Sequence, residues 1–211
     1  TDFNDCIFFT EDKLEDLDAI IATGSNNTAR YFEYYFGKYP NIIRKNRNSV
    51  AVLSGKETDL DIQKLSIDIF SYFGLGCRNV SKIFVPKDYC FDLFFENIEQ
   101  HQKIYQHNKY ANNYDYNKSV YLMNQIQHFD NGFLVLKEDE NLSSPIGVLF
   151  FQYYNDMNAV RELLKLNKEL IQCIVAGNDF MDGVVPFGKA QSPELWDYAD
   201  NVDTMKFLVE L

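Results

Sequence analysis

Ile20-Ile21-Ala22-Thr23-Gly24-Ser25-Asn26-Asn27-Thr28 runs into Ala29-Arg30-Tyr31-Phe32-Glu33-Tyr34-Tyr35-Phe36, and this stretch decides the fold class. Ile20 to Ala22 is apolar and largely β-branched, as a strand requires. Thr23 to Asn27 carries glycine and cap-forming side chains. From Thr28 onward Tyr31, Phe32, Tyr35 and Phe36 recur at helical spacing, and Gly37 through Pro40 closes the helix. A strand that enters a helix through a Gly-Ser turn is the building unit of an α/β protein. The free amides at such a helix start suit a phosphate. A plain turn, with glycine for geometry and serine as the cap, explains the same residues equally well. Neither GxxxxGK(S/T) nor GxGxxG occurs anywhere in the chain.

The pattern repeats outward from this unit. Residues 6–9 (Cys-Ile-Phe-Phe) form a short apolar run that predicts a strand. Residues 49–53 predict the next strand, ended by Ser54-Gly55. Residues 59–73 read as a helix, with apolar side chains at 62, 65, 69, 70 and 73, and residues 81–86 as a strand stopped by Pro86. Helical spacing returns over 88–106. Residues 107–118, rich in Asn, Tyr and Lys, read as a surface loop or helix start, and 121–129 as its helical continuation. Strands are predicted at 133–136, 146–153 and 171–176, and a helix at 158–170. The tail is mostly loop with one short helix. Alternating strands and helices favour α/β over the other classes.

At 211 residues the chain is one large domain or two modest ones. Its formal charge of -11 excludes an overall positive field for nucleic acid, although a local basic patch for a phosphate remains open. The 14 Tyr and 18 Phe are an unusual aromatic surplus, compatible with an apolar tunnel and with plain core packing alike. Four cysteines, at positions 6, 77, 90 and 173, make neither a disulfide scaffold nor a CxxC metal site. No apolar run is long enough for a transmembrane segment, and no signal peptide is visible. The chain starts without Met and reads as the interior of a longer cytoplasmic protein.

Gly74-Leu75-Gly76-Cys77-Arg78-Asn79 is the first candidate for chemistry. A cysteine after two glycines, between a helix and a strand, sits where the backbone bends tightly and its amides can turn inward. Such amides activate a thiol and hold the oxyanion of a tetrahedral intermediate; Arg78 adds a positive charge. A small buried hydrophobe in a tight turn is the competing explanation. Cys6, Cys90 and Cys173 lie in apolar segments and read as core. Thr23 to Thr28 is the second candidate, and the tail Val185-Pro186-Phe187-Gly188-Lys189-Ala190-Gln191-Ser192-Pro193 is the third, able to line a cleft. His101, His107 and His128 lack zinc spacing and read as surface residues. Asn178, Asp179 and Asp182 match a calcium loop only loosely, and GxSxG is absent.

Taken in order, these segments resemble the aldehyde dehydrogenase superfamily. Ile21-Ala22-Thr23-Gly24-Ser25 resembles its cofactor-facing FTGS turn, and Ser49-Val50-Ala51-Val52-Leu53-Ser54-Gly55 the strand leading to ELGG. Phe73-Gly74-Leu75-Gly76-Cys77, followed by Ser81-Lys82-Ile83-Phe84-Val85, resembles the segment bearing the catalytic cysteine. Ser144-Pro145-Ile146-Gly147-Val148-Leu149-Phe150 takes the place of EFGPV, and Val185-Pro186-Phe187-Gly188 that of a late active-site loop. The stretches 70–81 and 187–200 are most similar to the LuxC-type fatty-acyl-CoA reductases.

The resemblance implies the end of a Rossmann-like NAD(P)-binding domain over 1–54, joined to an α/β catalytic domain over 55–211 and lacking an N-terminal part. It implies Cys77 as nucleophile, with Gly24, Ser25 and Phe187 on the cofactor side and no metal. An acyl-CoA is then reduced to an aldehyde by NADPH or NADH through a thioester on Cys77, with coenzyme A as leaving group. Further copies of the chain or an acyl-transfer protein are the implied partners. Val52 stands where the ELGG glutamate would activate water, and Asn141 or a neighbour replaces the EFGPV glutamate. The superfamily's oxyanion-hole asparagine and ribose-selecting residues belong upstream. Two alternatives stay open: an acylating relative that uses short-chain acyl-CoA or acyl phosphate, and a non-catalytic scaffold that kept the fold and lost the site.

Overall fold

The computed structural model describes residues 6–177 and 180–211. Asn178 and Asp179, half of the loose calcium-loop match, lie outside them. The chain divides into two compact units, residues 1–46 with 202–211 and residues 47–201.

The smaller unit holds β1 (Ile20–Thr23), α1 (Asn26–Phe36) and β2 (Asn41–Arg44), with the two strands paired in parallel. Ser25 caps α1 by accepting a hydrogen bond from the Thr28 amide at 3.1 Å. The short helix α6 (Thr204–Val209) belongs to this unit, and Thr204 Oγ1 accepts from Arg44 Nη2 at 3.2 Å. The predicted strand over residues 6–9 does not form. Phe8 and Phe9 are 81% and 98% exposed, with no neighbouring strand to pair with.

The larger unit is a three-layer sandwich. Its six-stranded sheet has the order β5-β6-β7-β4-β3-β8. These strands span Phe129–Asp130 (β5), Val135–Glu138 (β6), Val148–Tyr154 (β7), Val80–Pro86 (β4), Asn48–Val52 (β3) and Ile171–Ala176 (β8). Every pairing is parallel except β5 with β6. Both faces are covered, which is why the central strands read as nearly unbroken apolar runs. Along β7 the side chains alternate: Leu149 and Phe151 enter one core cluster, Val148 and Phe150 another.

Helices α2 (Asp59–Phe70) and α3 (Asp92–Ile98) close the first face through Ile62, Leu65, Ile69, Phe94 and Ile98. On the other face α5 (Met157–Leu166) packs Val160 and Leu164 over Val50, Val52 and Phe84. Beside it α4 (Asn108–Met123) packs Tyr110, Tyr114 and Tyr121 over Val135, Val148 and Phe150.

Several expectations are corrected here. Of the two readings of residues 107–118, the helix start holds: they form most of α4, Tyr110 and Tyr114 bury their rings, and Tyr110 satisfies its hydroxyl on the Phe133 carbonyl at 3.0 Å. The helix predicted for 59–73 ends at Phe70, and the one predicted for 121–129 ends at Met123. The helical run of 88–106 divides into α3 and a 3₁₀ stretch, Glu99–Gln106. The compact units divide before Arg47, and β3 is an interior strand of the large sheet, flanked by β4 and β8. No helix among the described residues is long and apolar enough to cross a membrane.

Candidate active site

Cys77 lies in the connection from α2 to β4, at the amino-terminal edge of the parallel strands, and it is exposed. Below it the backbone takes an uncommon course. Tyr72, Phe73 and Gly74 are all left-handed, with φ of 52°, 61° and 74°. For the two aromatic residues this conformation costs about 1–2 kcal/mol each.

Asn79 holds the turn in place. Its side chain is buried, Nδ2 donates to the carbonyls of Asp68 (2.9 Å) and Ser71 (2.8 Å), and Oδ1 accepts from the Gly76 amide at 2.8 Å. Gly76 is required by this contact, since a Cβ there would lie 2.8 Å from Asn79 Oδ1. The Asn79 amide closes a β-turn on the Gly76 carbonyl at 2.9 Å, with Cys77 and Arg78 as its central residues. From the sheet side the buried Ser49 hydroxyl donates to the Cys77 carbonyl at 3.0 Å. The Gly76 amide is thus already used. Among the described residues no acceptor takes the amides of Cys77 or Arg78.

A second loop is tied to this turn. Arg78 Nε donates to the Ala190 carbonyl. The fully buried Asp68 of α2 accepts the Gly188 amide at 2.6 Å and the Ala190 amide at 3.0 Å, one on each carboxylate oxygen. Desolvation pushes the Asp68 carboxyl up to about 6, against the opposing pull of the two amides and of the Arg78 charge. Segment 187–190 is therefore fastened against the Cys77 turn by its backbone. The Phe187 ring is buried in the main core cluster, so it does not line an open cleft.

A third segment meets the same edge. Phe73 and Gly74 share the wall of a small cavity, about 30 Å³, with Ser144 through Val148. The loop before it is anchored from β4: Ser81 Oγ donates to the Leu142 carbonyl at 2.7 Å. The fully buried Lys82 Nζ donates to the Glu140 carbonyl at 2.8 Å and to Gln152 Oε1 at 2.7 Å. Burial lowers the Lys82 ammonium to about 8, with Asp139 and Glu140 opposing the shift. Asn141 is exposed and bonded to the Asp139 carboxylate. Val52, the last residue of β3, is fully buried.

Gly24 and Ser25 belong to the smaller unit. A Cβ on Gly24 would stand 2.8 Å from Thr28 Cβ, so only glycine fits the close approach of strand end and helix. Ser25 is exposed, and helix geometry leaves the Asn26 and Asn27 amides without acceptors inside α1. Such a turn fits an anionic group.

Of the histidines, only His107 is exposed; its ring stacks on Phe73 at 4.1 Å. His101 is half-buried. It stacks on Phe70 at 4.9 Å and bonds Ser66 Oγ at 2.8 Å, and burial lowers its pKa. Cys6 and Cys90 are exposed rather than core, and Cys173 is half-buried. No cluster of metal-ligating side chains occurs among the described residues. Sequence reasoning gave no role to Ser49 or Asp68, and none to Asn79 beyond its place in the Cys77 turn. Each is a polar residue in a segment of ordinary helix, strand or turn composition, and only its burial marks it.

No protein-family model and no curated protein matches the sequence. Solved structures do match. Methylmalonate-semialdehyde dehydrogenase from Oceanimonas doudoroffii superposes with a TM-score of 0.55 at 13% identity, over 76% of this chain and 41% of that one. Delta-pyrroline-5-carboxylate dehydrogenase from Mycobacterium tuberculosis, bound with NAD, gives 0.53 at 14% identity, over 76% and 37%. NADP-dependent glyceraldehyde-3-phosphate dehydrogenase from Bacillus halodurans C-125, complexed with NADP, gives 0.53 at 16% identity, over 76% and 39%. The chain spans about two fifths of the length of these structures. The architecture of this α/β chain is that of the aldehyde-dehydrogenase fold.

Proposed function

We propose that the chain is the nucleophile-bearing part of an NAD(P)H-dependent reductase of the LuxC type, which converts an acyl-CoA to an aldehyde through a thioester on Cys77. The observation that carries this reading is the exposed thiol on a turn held by the Gly76 amide and the Cys77 carbonyl, while among the described residues no acceptor takes the amides of Cys77 and Arg78. The Cys77 sulfur attacks the acyl carbonyl carbon, and the developing oxyanion meets the Cys77 N–H, a donor already fixed in place. The C–S bond to coenzyme A breaks, the thiolate leaves, and the acyl group remains on Cys77.

Gly24 and Ser25 would hold the nicotinamide cofactor, which supplies hydride when bound. The same Cys77 N–H then stabilises the thiohemiacetal oxyanion, whose collapse releases aldehyde and restores the thiol. Segment 187–190 acts by bracing the turn through Arg78 and Asp68, with Phe187 as its anchor in the core.

The intact protein is incubated with mass-tagged acyl-CoA in the absence of reduced nicotinamide. One covalent acyl adduct, on Cys77, is expected, and none in Cys77→Ala. Failure to find the adduct, or its persistence in Cys77→Ala, overturns the mechanism. Repeating the experiment with short-chain, long-chain and acyl-phosphate donors identifies the substrate class.

A further inference from the structure

We infer that Cys173 is the resolving partner of Cys77: a peroxide oxidises Cys77, and Cys173 captures it as a reversible intramolecular disulfide. The inference rests on the reading of Cys77 as the reactive thiol and adds a modification of that same site.

Placement comes from an irregularity between β3 and β8. Asn48 pairs with Ile171 and Val50 with Ile174, so Ser49 alone faces both Gln172 and Cys173. This brings Cys173 onto the residue that holds the Cys77 turn. Ser49 Oγ donates to the Cys77 carbonyl at 3.0 Å, and accepts from the Cys173 amide at 3.2 Å and from the Cys173 thiol at 3.0 Å. The Cys77 carbonyl oxygen and Cys173 Sγ are therefore separated by at most two hydrogen-bond lengths. Neither Cys6 nor Cys90 shares such a bridge with Cys77.

The two thiols differ in a way that sets the order of events. Cys77 is exposed and meets a dissolved oxidant first. Cys173 is half-buried, and burial raises its pKa against the opposing pull of the Ser49 hydrogen bond and the Arg78 charge. It also borders a cavity of about 260 Å³ together with Gln172 and with Arg78, the chain neighbour of Cys77.

In the first step the Cys77 sulfur attacks hydrogen peroxide. The O–O bond breaks, an S–O bond forms, and one water leaves with the thiol proton, so the sulfur becomes a sulfenic acid by two-electron oxidation. In the second step the Cys173 sulfur attacks that sulfur. The S–S bond forms, the S–O bond breaks, and the hydroxyl leaves as water with the Cys173 proton. A dithiol reductant reverses the bond and returns both thiols.

The test maps cysteine oxidation directly and needs no catalysis. The intact protein is treated with a small excess of hydrogen peroxide, alkylated, and digested without reduction for mass spectrometry. A Cys77–Cys173 cross-linked peptide that disappears on reduction is expected. In Cys173→Ala the cross-link is lost, and dimedone-trapped sulfenic acid on Cys77 rises about ten-fold before over-oxidation to sulfinic acid. Cys173→Ser, which keeps a hydroxyl against Ser49, reports the same shift should the alanine variant fold poorly. Over-oxidation of wild-type Cys77 without the cross-link, or equal cross-linking to Cys6 or Cys90, overturns the inference. Acylation of Cys77 in the fully reduced protein is a separate measurement, so loss of this inference and loss of the proposed function are told apart.

Discussion

Replacing Asp68 by Asn tests whether a buried carboxylate fastens segment 187–190 to the Cys77 turn. In the wild type each carboxylate oxygen takes one backbone amide, Gly188 at 2.6 Å and Ala190 at 3.0 Å. Asparagine keeps one acceptor and turns its amide nitrogen toward the other N–H, leaving two donors face to face. Hydrogen bonds to a charged group contribute about 1.5–3 kcal/mol each. Losing one should therefore speed hydrogen exchange at Gly188 or Ala190 roughly ten- to a hundred-fold wherever exchange proceeds by local opening.

The pH dependence supplies an independent measure. The Asp68 carboxyl stands at about 6 in the folded protein against an ordinary value of 3.8, and desolvation is the largest cause. A folded pKa above the unfolded one means that the folded state binds more protons through this interval. The contribution of Asp68 to stability is thus fully present below the ordinary value and is lost as pH rises through about 6. The size of the loss is on the order of 3 kcal/mol. Urea unfolding of wild type and Asp68→Asn, measured side by side at several values across this interval, isolates the term. Wild type should lose stability relative to the variant as pH rises. A flat difference, or wild type gaining with pH, refutes the desolvation argument; unchanged protection of both amides refutes the fastening.

Two further outcomes are expected beyond the acyl adduct and the disulfide. Asn79→Ala strips the Gly76 amide and the carbonyls of Asp68 and Ser71 of their partner, and should lower unfolding stability by about 2–4 kcal/mol, read from the urea midpoint. Gly147→Ala places a Cβ 2.8 Å from Tyr114 Cα at a φ of +78°, whereas Gly132→Ala, at +95°, meets nothing within 4 Å. The first should cost about 3 kcal/mol or more and the second about 1–2, a gap visible as different thermal midpoints.

The α/β class was legible because periodicity is local. Apolar runs at Ser49 to Leu53 and Ile146 to Tyr153, with helices between them, required no knowledge of partners. The glycine-rich turn around Cys77 was legible for the same reason, whereas the exposure of its thiol was decided only by the tertiary structure. Helix α4 was not, because its buried face is made of tyrosines among asparagines, and a tyrosine declares itself core only where a carbonyl waits for its hydroxyl, as Phe133 does for Tyr110. Cys6 and Cys90 misled in the opposite sense: apolar neighbours in sequence did not bury them.

By itself the sequence determined most of the strand and helix alternation, though not β2 or the absence of a strand at residues 6–9, together with the glycine-rich turn around Cys77 and the glycine-serine turn at residues 24 and 25. These follow from side-chain type and spacing along a few consecutive residues. Tertiary structure alone decided what holds the thiol. Ser49, Asp68, Asn79 and Lys82 are all but fully enclosed, and each works through hydrogen bonds to backbone groups of another segment. Only packing removes the water that would otherwise compete for those bonds, so only packing could reveal which polar residues brace the Cys77 edge.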